Sequence, residues 1–215
     1  MKYILESMYK CLRTQYNFMQ ETQASANNME NLIQAISFIQ PVSENLRQAL
    51  YASVLSRTYA KKAHLLQPGQ VCNRVWFIGN GSARAYYFKE DKEVTSWFMM
   101  ENDFIISVRS FFGRQPSYEY IEVLEPSELL SIDYICLQQL YNTYPEFNRV
   151  GRILTEQYYT QSEERLFQLR MNTAQNRYDT LLSTHPTIFQ RASLKQIASY
   201  LGVTPETLSR MRAKR

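Results

Sequence analysis

Cysteine, histidine and long apolar runs are scarce in this chain, and each scarcity excludes something. Cys11, Cys72 and Cys136 are the only cysteines among 215 residues, odd in number and far apart. They supply neither a disulfide framework nor a metal quartet, and such usage fits a reducing, cytoplasmic setting. The two histidines, His64 and His185, have no partner near them in sequence. His185 precedes Pro186 and reads as a helix-end residue rather than a ligand or a base. No apolar stretch approaches the roughly 18 residues that span a bilayer. The opening "MKYILESMYKCLRTQYNFMQ" is broken by Glu6, Lys10 and Arg13, so it does not read as a signal peptide. A phosphate-binding glycine loop, a nucleophile elbow and a His/Cys/Asp cluster at metal spacing are all missing. The expectation is a soluble protein that is not an enzyme, with no cofactor, no metal and no membrane partner.

Aromatic residues, in contrast, are plentiful at 13%, with 16 Tyr and 11 Phe. Flat rings pack well on a pleated surface, which suits a β-rich core. Net charge is only +4, but it is unevenly placed. From Thr187 onward Arg191, Lys195, Arg210, Arg212, Lys214 and Arg215 face a single carboxylate, Glu206. A basic end on a near-neutral body is the footprint of a phosphate-binding module.

Four zones follow from the periodicity. Residues 1–28 form a polar leader or disordered extension ending in "QETQASANN". Residues 29–143 hold a helical stretch around a break at Pro41, then short strands. "QPGQ" (67–70) is a turn and "VWFI" (75–78) a strand. "GNG" (79–81) is read as a tight hairpin turn, with "SARAYYF" as the return strand. "VTSWFM", "YEYIEVL" and "ELLSID" continue an antiparallel barrel or roll. Residues 144–171, entered through Pro145, form a long polar helix with one apolar stripe of Phe147, Val150, Leu154 and Tyr158. That stripe either packs along the roll or pairs with its twin in a homodimer, and the pairing is favoured. The remaining residues, 172–215, carry the basic cluster.

Within this last zone, "SLKQIASYLGVTPETLSRMR" (193–212) has the marks of two short helices. Ser193 and Gln196 make a capping box, and Leu194, Ile197, Ala198 and Leu201 form an inward face. Gly202 supplies the turn, Thr204 caps the next helix, and Pro205 occupies its first position. Two helices with a turn of about four residues make a helix-turn-helix. Leu208 and Met211 point inward, leaving Pro205, Glu206, Ser209 and Arg210 for base edges in a DNA major groove. Ser193, Lys195, Thr204, Thr207 and Arg212 are placed to hold phosphates.

On these residues the chain resembles the Crp/Fnr family of bacterial transcription regulators, from about Met29 to Arg215. "LLQPGQVCNRVWFIGNGSARAYY" is similar to that family's early roll strands, and "ENDFI" (101–105) to the approach to its phosphate-binding cassette. "IASYLGVTPETLSR" is close to its DNA-reading signature and is the most specific of the three. The resemblance implies an α+β chain: an antiparallel cyclic-nucleotide-binding-like β-roll, a long dimerisation helix and a winged-helix-like C-terminal helix-turn-helix. It also implies double-stranded operator DNA, a second copy of the chain, RNA polymerase and a small-molecule effector as partners.

Departures from the family pattern fall in the roll. Cyclic-nucleotide binders carry a Gly-Glu pair after "DF" and an Arg-Ser or Arg-Thr pair about ten residues on. Here those places hold Ile106-Ser107 and Ser117-Tyr118. Burying a phosphate without a cation is costly, so cyclic AMP is not expected. Ser107, Arg109 and Ser117 are the candidate pocket residues for an effector of unknown identity. There is no cysteine cluster for an iron–sulfur centre and no suggestive histidine for haem. A frequent family arginine is replaced by Pro205, and the short segment between His185 and Ser193 leaves little room for a wing. The expected function is a homodimeric, sequence-specific DNA-binding regulator. The alternative is a small-molecule-binding or protein-interaction module with a vestigial helix-turn-helix.

Overall fold

A computed structural model describes residues 26–213. Most of the expected leader lies outside that range. Its last three residues already belong to helix α1 (26–39), and Asn28 is buried, donating from Nδ2 to Glu128 at 2.8 Å. After the break at Pro41, α2 (Glu44–Ser53) begins where the Ser43 hydroxyl accepts from the Leu46 amide.

Eight strands follow: β1 (Leu55–Tyr59), β2 (His64–Leu66), β3 (Arg74–Asn80), β4 (Ala83–Lys89), β5 (Lys92–Met99), β6 (Phe104–Ile105), β7 (Tyr120–Val123) and β8 (Ser127–Asp133). They form two four-stranded antiparallel sheets, ordered β1-β8-β3-β6 and β2-β7-β4-β5. The short helix α3 (Val108–Gly113) links β6 to β7.

This topology corrects the reading of "GNG" as a hairpin. β3 pairs with β6 and β8, whereas β4 pairs with β5 and β7, so the turn hands the chain from one sheet to the other. Gly81 makes that handover possible, with φ at 102° and a Cβ position that would sit 2.2 Å from the Ser127 hydroxyl. The true hairpin is β4–β5, closed by Glu90 and Asp91 at φ 49° and 59°. Two adjacent positive φ values give the twist that favours a tight hairpin.

The main core joins Leu32, Ile33 and Ile36 of α1 and Leu46 and Leu50 of α2 to Trp76, Ile78, Phe111, Ile121, Leu129 and Leu130 of the roll. Helix α4 (Tyr134–Thr143), capped by Asp133, leads into α5 (Pro145–Met171), whose 27 residues extend about 40 Å. Phe147 and Val150 are buried in the roll's own core, and Leu154 packs against it. The Tyr158 ring lies 5.5 Å from that of Trp97. Phe147 and Val150 are thus covered within the chain, whereas Leu154 and Tyr158 are half-exposed and line an apolar groove with Phe38 and Ile39. Periodicity shows that a helix has an apolar face, not which surface covers it. The large apolar side chains that α5 leaves exposed lie in its second half, among them Tyr159, Phe167 and Met171.

Beyond α5 come α6 (Ala174–Thr184), α7 (Ile188–Arg191), α8 (Leu194–Leu201) and α9 (Pro205–Ala213). They enclose a second core of Tyr178, Leu181, Ile188, Ile197, Ala198, Leu201, Leu208 and Met211, completed by Phe98 and Leu124 from the roll. No strand forms between α6 and α8 among the described residues; the four-residue α7 stands where the wing was expected to be short. No helix among the described residues is long and apolar enough to cross a membrane.

Candidate nucleic-acid interface

Local chemistry fixes the α8–α9 unit. At its start the Ser193 amide donates to Gln196 Oε1 at 2.8 Å, and the Gln196 amide to Ser193 Oγ at 3.3 Å, a reciprocal capping box. Gly202 ends α8 in the left-handed region, φ 68° and ψ 35°. A side chain there would be strained, and its Cβ would press towards Arg177 and Leu169. The Val203 amide returns to the Ala198 carbonyl at 3.0 Å, and Thr204 Oγ1 accepts from the Thr207 amide at 3.2 Å.

On α9, Leu208 and Met211 point into the second core. Glu206, Ser209, Arg210, Arg212 and Ala213 are exposed, and Pro205 is half-buried. Glu206, Ser209, Arg210 and Ala213 recur at three and four residues, so they share one helix face. Glu206 is held below the usual carboxylate range by its own amide at the helix start, by the Thr204 hydroxyl and by Arg210. It is therefore ionised at neutral pH. Of the residues assigned to phosphate, Ser193, Lys195, Thr204 and Arg212 are exposed and Thr207 is half-buried.

Arg191 leaves the basic set. It pairs with Glu101 at 2.7 Å and with Glu125 at 3.4 Å, and it donates to the Gly81 carbonyl. Burial would raise the Glu101 carboxyl, but its own amide, Arg191 and the Gly81 amide outweigh it and hold the group low. This arginine ties the C-terminal unit to the roll. Ser199 does the same, accepting from the Thr95 amide and donating to Thr95 Oγ1, both at 3.1 Å. Behind Thr95 stands the buried Arg84, which pairs with Glu93 at 2.7 Å and Glu122 at 2.8 Å.

Two further arginines reach the end of α8 from the preceding helices. Arg165 of α5 stacks on Tyr200, 3.6 Å from its ring centre, and donates to the Tyr200 carbonyl. Arg177 of α6 donates to the Leu201 carbonyl at 2.9 Å and to that of Asn172 at 2.6 Å. Carbonyls at a helix C-terminus lack intrahelical donors, and cations complement their partial negative charge.

Between the roll, α5 and α8 lies a cavity of about 710 Å³. Of the pocket residues expected from the sequence, Arg109 lines it, set over the Tyr118 ring at 5.3 Å. Ser107 and Ser117 do not. Both are buried behind the wall, where Ser107 Oγ donates to Glu119 Oε1 at 2.6 Å and Ser117 Oγ to the Glu119 carbonyl at 3.0 Å. Glu119 is the lining residue that sequence reasoning missed. The alternation Ser117, Glu119, Ile121, Val123 was the available signal, since it sets a carboxylate at an inward position. Burial pushes the Glu119 carboxyl up, partly offset by the Ser107 hydroxyl.

No group of His, Cys, Asp or Glu suited to a metal occurs among the described residues. Cys72 is buried and its thiol is raised by that burial; Cys11 lies outside the described residues.

Comparison with known proteins places this geometry. Residues 56–144 match the family model of the cyclic nucleotide-binding domain. No curated protein sequence matches the chain. Among solved structures, FixK2 from Bradyrhizobium japonicum superposes with a TM-score of 0.64 at 19% identity, over 75% of this chain and 83% of that one. The c-di-GMP responsive global regulator CLP of Xanthomonas campestris gives 0.64 at 19%, over 80% and 91%. A structure from Eubacterium rectale assigned to the Crp/Fnr family of transcriptional regulators gives 0.64 at 14%, over 80% and 83%. The roll has the fold of a cyclic nucleotide-binding domain, and the described chain has the Crp/Fnr fold.

Proposed function

We propose that this chain is a sequence-specific DNA-binding transcription regulator that acts as a homodimer. The observation that carries the reading is the face of α9: an ionised Glu206 and an exposed Arg210 on a capped helix anchored by Leu208 and Met211. Arginine bonds guanine bidentately in the major groove and glutamate accepts from cytosine N4, so this pair suits a G·C reading. The intact caps and the anchored core argue against a vestigial helix-turn-helix.

Two copies would present two such helices about one DNA turn apart, near 34 Å. With Phe147 and Val150 covered by the roll, pairing would use a neighbouring face of α5, about 120° round the helix. There Ile153, Thr160 and Phe167 recur every seven residues, with Met171 four further on.

Fluorescence anisotropy with operator and random duplexes tests the reading. Binding should weaken steeply with salt, because neutralised phosphates release counterions. Arg210→Ala should erase preference between sequences, whereas Lys195→Ala should weaken all duplexes alike. A dimer with no preference for any genomic duplex over random competitor overturns it. Cyclic AMP is not the effector in this reading: the half-buried Glu119 carboxylate lines the cavity, and the two arginines there are turned to aromatic rings.

A further inference from the structure

The roll cavity sets one carboxylate, Glu119, beside two arginines, Arg109 and Arg165. Glu119 lines it, and one carboxylate oxygen accepts from Ser107 at 2.6 Å. The other oxygen has no donor among the described residues, and no cation there pairs with the group. The two arginines on the cavity wall are turned to aromatic faces instead, Arg109 to Tyr118 and Arg165 to Tyr200.

Flat rings make up much of the remaining wall. Tyr87 meets Tyr118 edge-on with centres 6.4 Å apart, and Trp97 meets Tyr158 at 5.5 Å. The volume of about 710 Å³ lies within the range of small-molecule sites. An unpaired, partly desolvated carboxylate is stabilised by an incoming cation, and π-faces attract the same charge.

We propose that this cavity binds a small aromatic amine, its ammonium at Glu119 and its ring among Tyr87, Trp97, Tyr118 and Tyr158. The inference rests on the roll being the sensing half of the regulator, and it turns a site shaped for a phosphodiester into one for an organic cation. Ser107 acts as a positioning residue, since its hydroxyl holds the carboxylate, and Ser117 fixes the Glu119 backbone; neither reaches the cavity.

Calorimetry on the full chain without DNA tests it, with tryptamine and tyramine as probes and indole-3-acetate and cyclic AMP as anionic controls. The amines should bind at least about tenfold more tightly than indole-3-acetate, and Glu119→Gln should remove about tenfold of their affinity. Arg109→Gln, an exposed change that spares the fold, should strengthen amine binding by roughly threefold and weaken any anion binding. Equal affinity for tryptamine and indole-3-acetate overturns the proposal. So does tighter binding of cyclic AMP, an unchanged affinity in both variants, or no heat from either amine up to about 10 mM. Anisotropy with operator DNA on the same preparations keeps the two readings apart: DNA binding with no amine binding sinks this inference alone.

Discussion

Glu119 and Glu206 are the same side chain in opposite surroundings. Glu119 sits in the roll wall with one hydroxyl donor, and burial raises its pKa. Glu206 sits in water at the start of α9, where its own amide, a threonine hydroxyl and Arg210 lower it. The first carboxylate pays for its position in desolvation, and on the proposed reading a cation from outside would stabilise it. The second is already satisfied as an anion and can be presented to a base edge without rearrangement. Environment, rather than residue type, separates the two carboxylates into the roles proposed for them, one receiving and one reading.

The largest effect should come from removing the anchor of the reading half. Leu208→Ala empties a fully buried site and should cost about 2–5 kcal/mol, lowering the melting temperature and abolishing DNA binding. If the halves are distinct, amine binding in the roll survives this change. Next, Arg210→Ala should cost about 1–3 kcal/mol on the preferred operator in anisotropy and almost nothing on random duplex. A matching loss on both would erase the contrast between base reading and phosphate holding.

Glu119→Gln sharpens the comparison from the other side. A raised folded pKa means that the group favours folding below its unfolded value and loses that contribution as pH rises through the folded one. Above its folded pKa the charged, unpaired carboxylate is therefore a burden, and there Glu119→Gln should raise the melting temperature by roughly 2–4 °C. Towards pH 4.5 the gap should close. A gap that widens on acidification would show the carboxylate to be paired after all. The smallest effect is expected at the half-exposed Arg191–Glu101 pair, where Arg191→Ala should cost about 1 kcal/mol or less in a thermal melt. Its clearer readout is faster proteolysis between roll and helix-turn-helix.

The sequence made the reading half legible because its determinants are local. Ser193 and Gln196, Gly202, and Thr204 with Pro205 all act within four residues of one another, so no long-range contact had to be guessed. The roll was legible as a succession of strands but not as a pairing pattern. "GNG" has the composition of a hairpin, and only the partners of β3 and β4 show that it joins two sheets. Long-range partners account for the other differences. Arg191 belongs to the basic cluster in the sequence, but its partner Glu101 lies ninety residues away. Phe147, Val150, Leu154 and Tyr158 form a stripe with two conceivable covers, and the roll buries its first two residues. Ser107 and Ser117 were found at the right place in the fold, but their contact with Glu119 had to be seen to know that they support the cavity instead of lining it.

Arg165 belongs to both halves at once. Its plane closes one wall of the chamber, and the same plane clasps the last turn of the helix that carries the reading head. On the two readings proposed above, a guest lodged on that side would lie against the clasp that steadies the reading head.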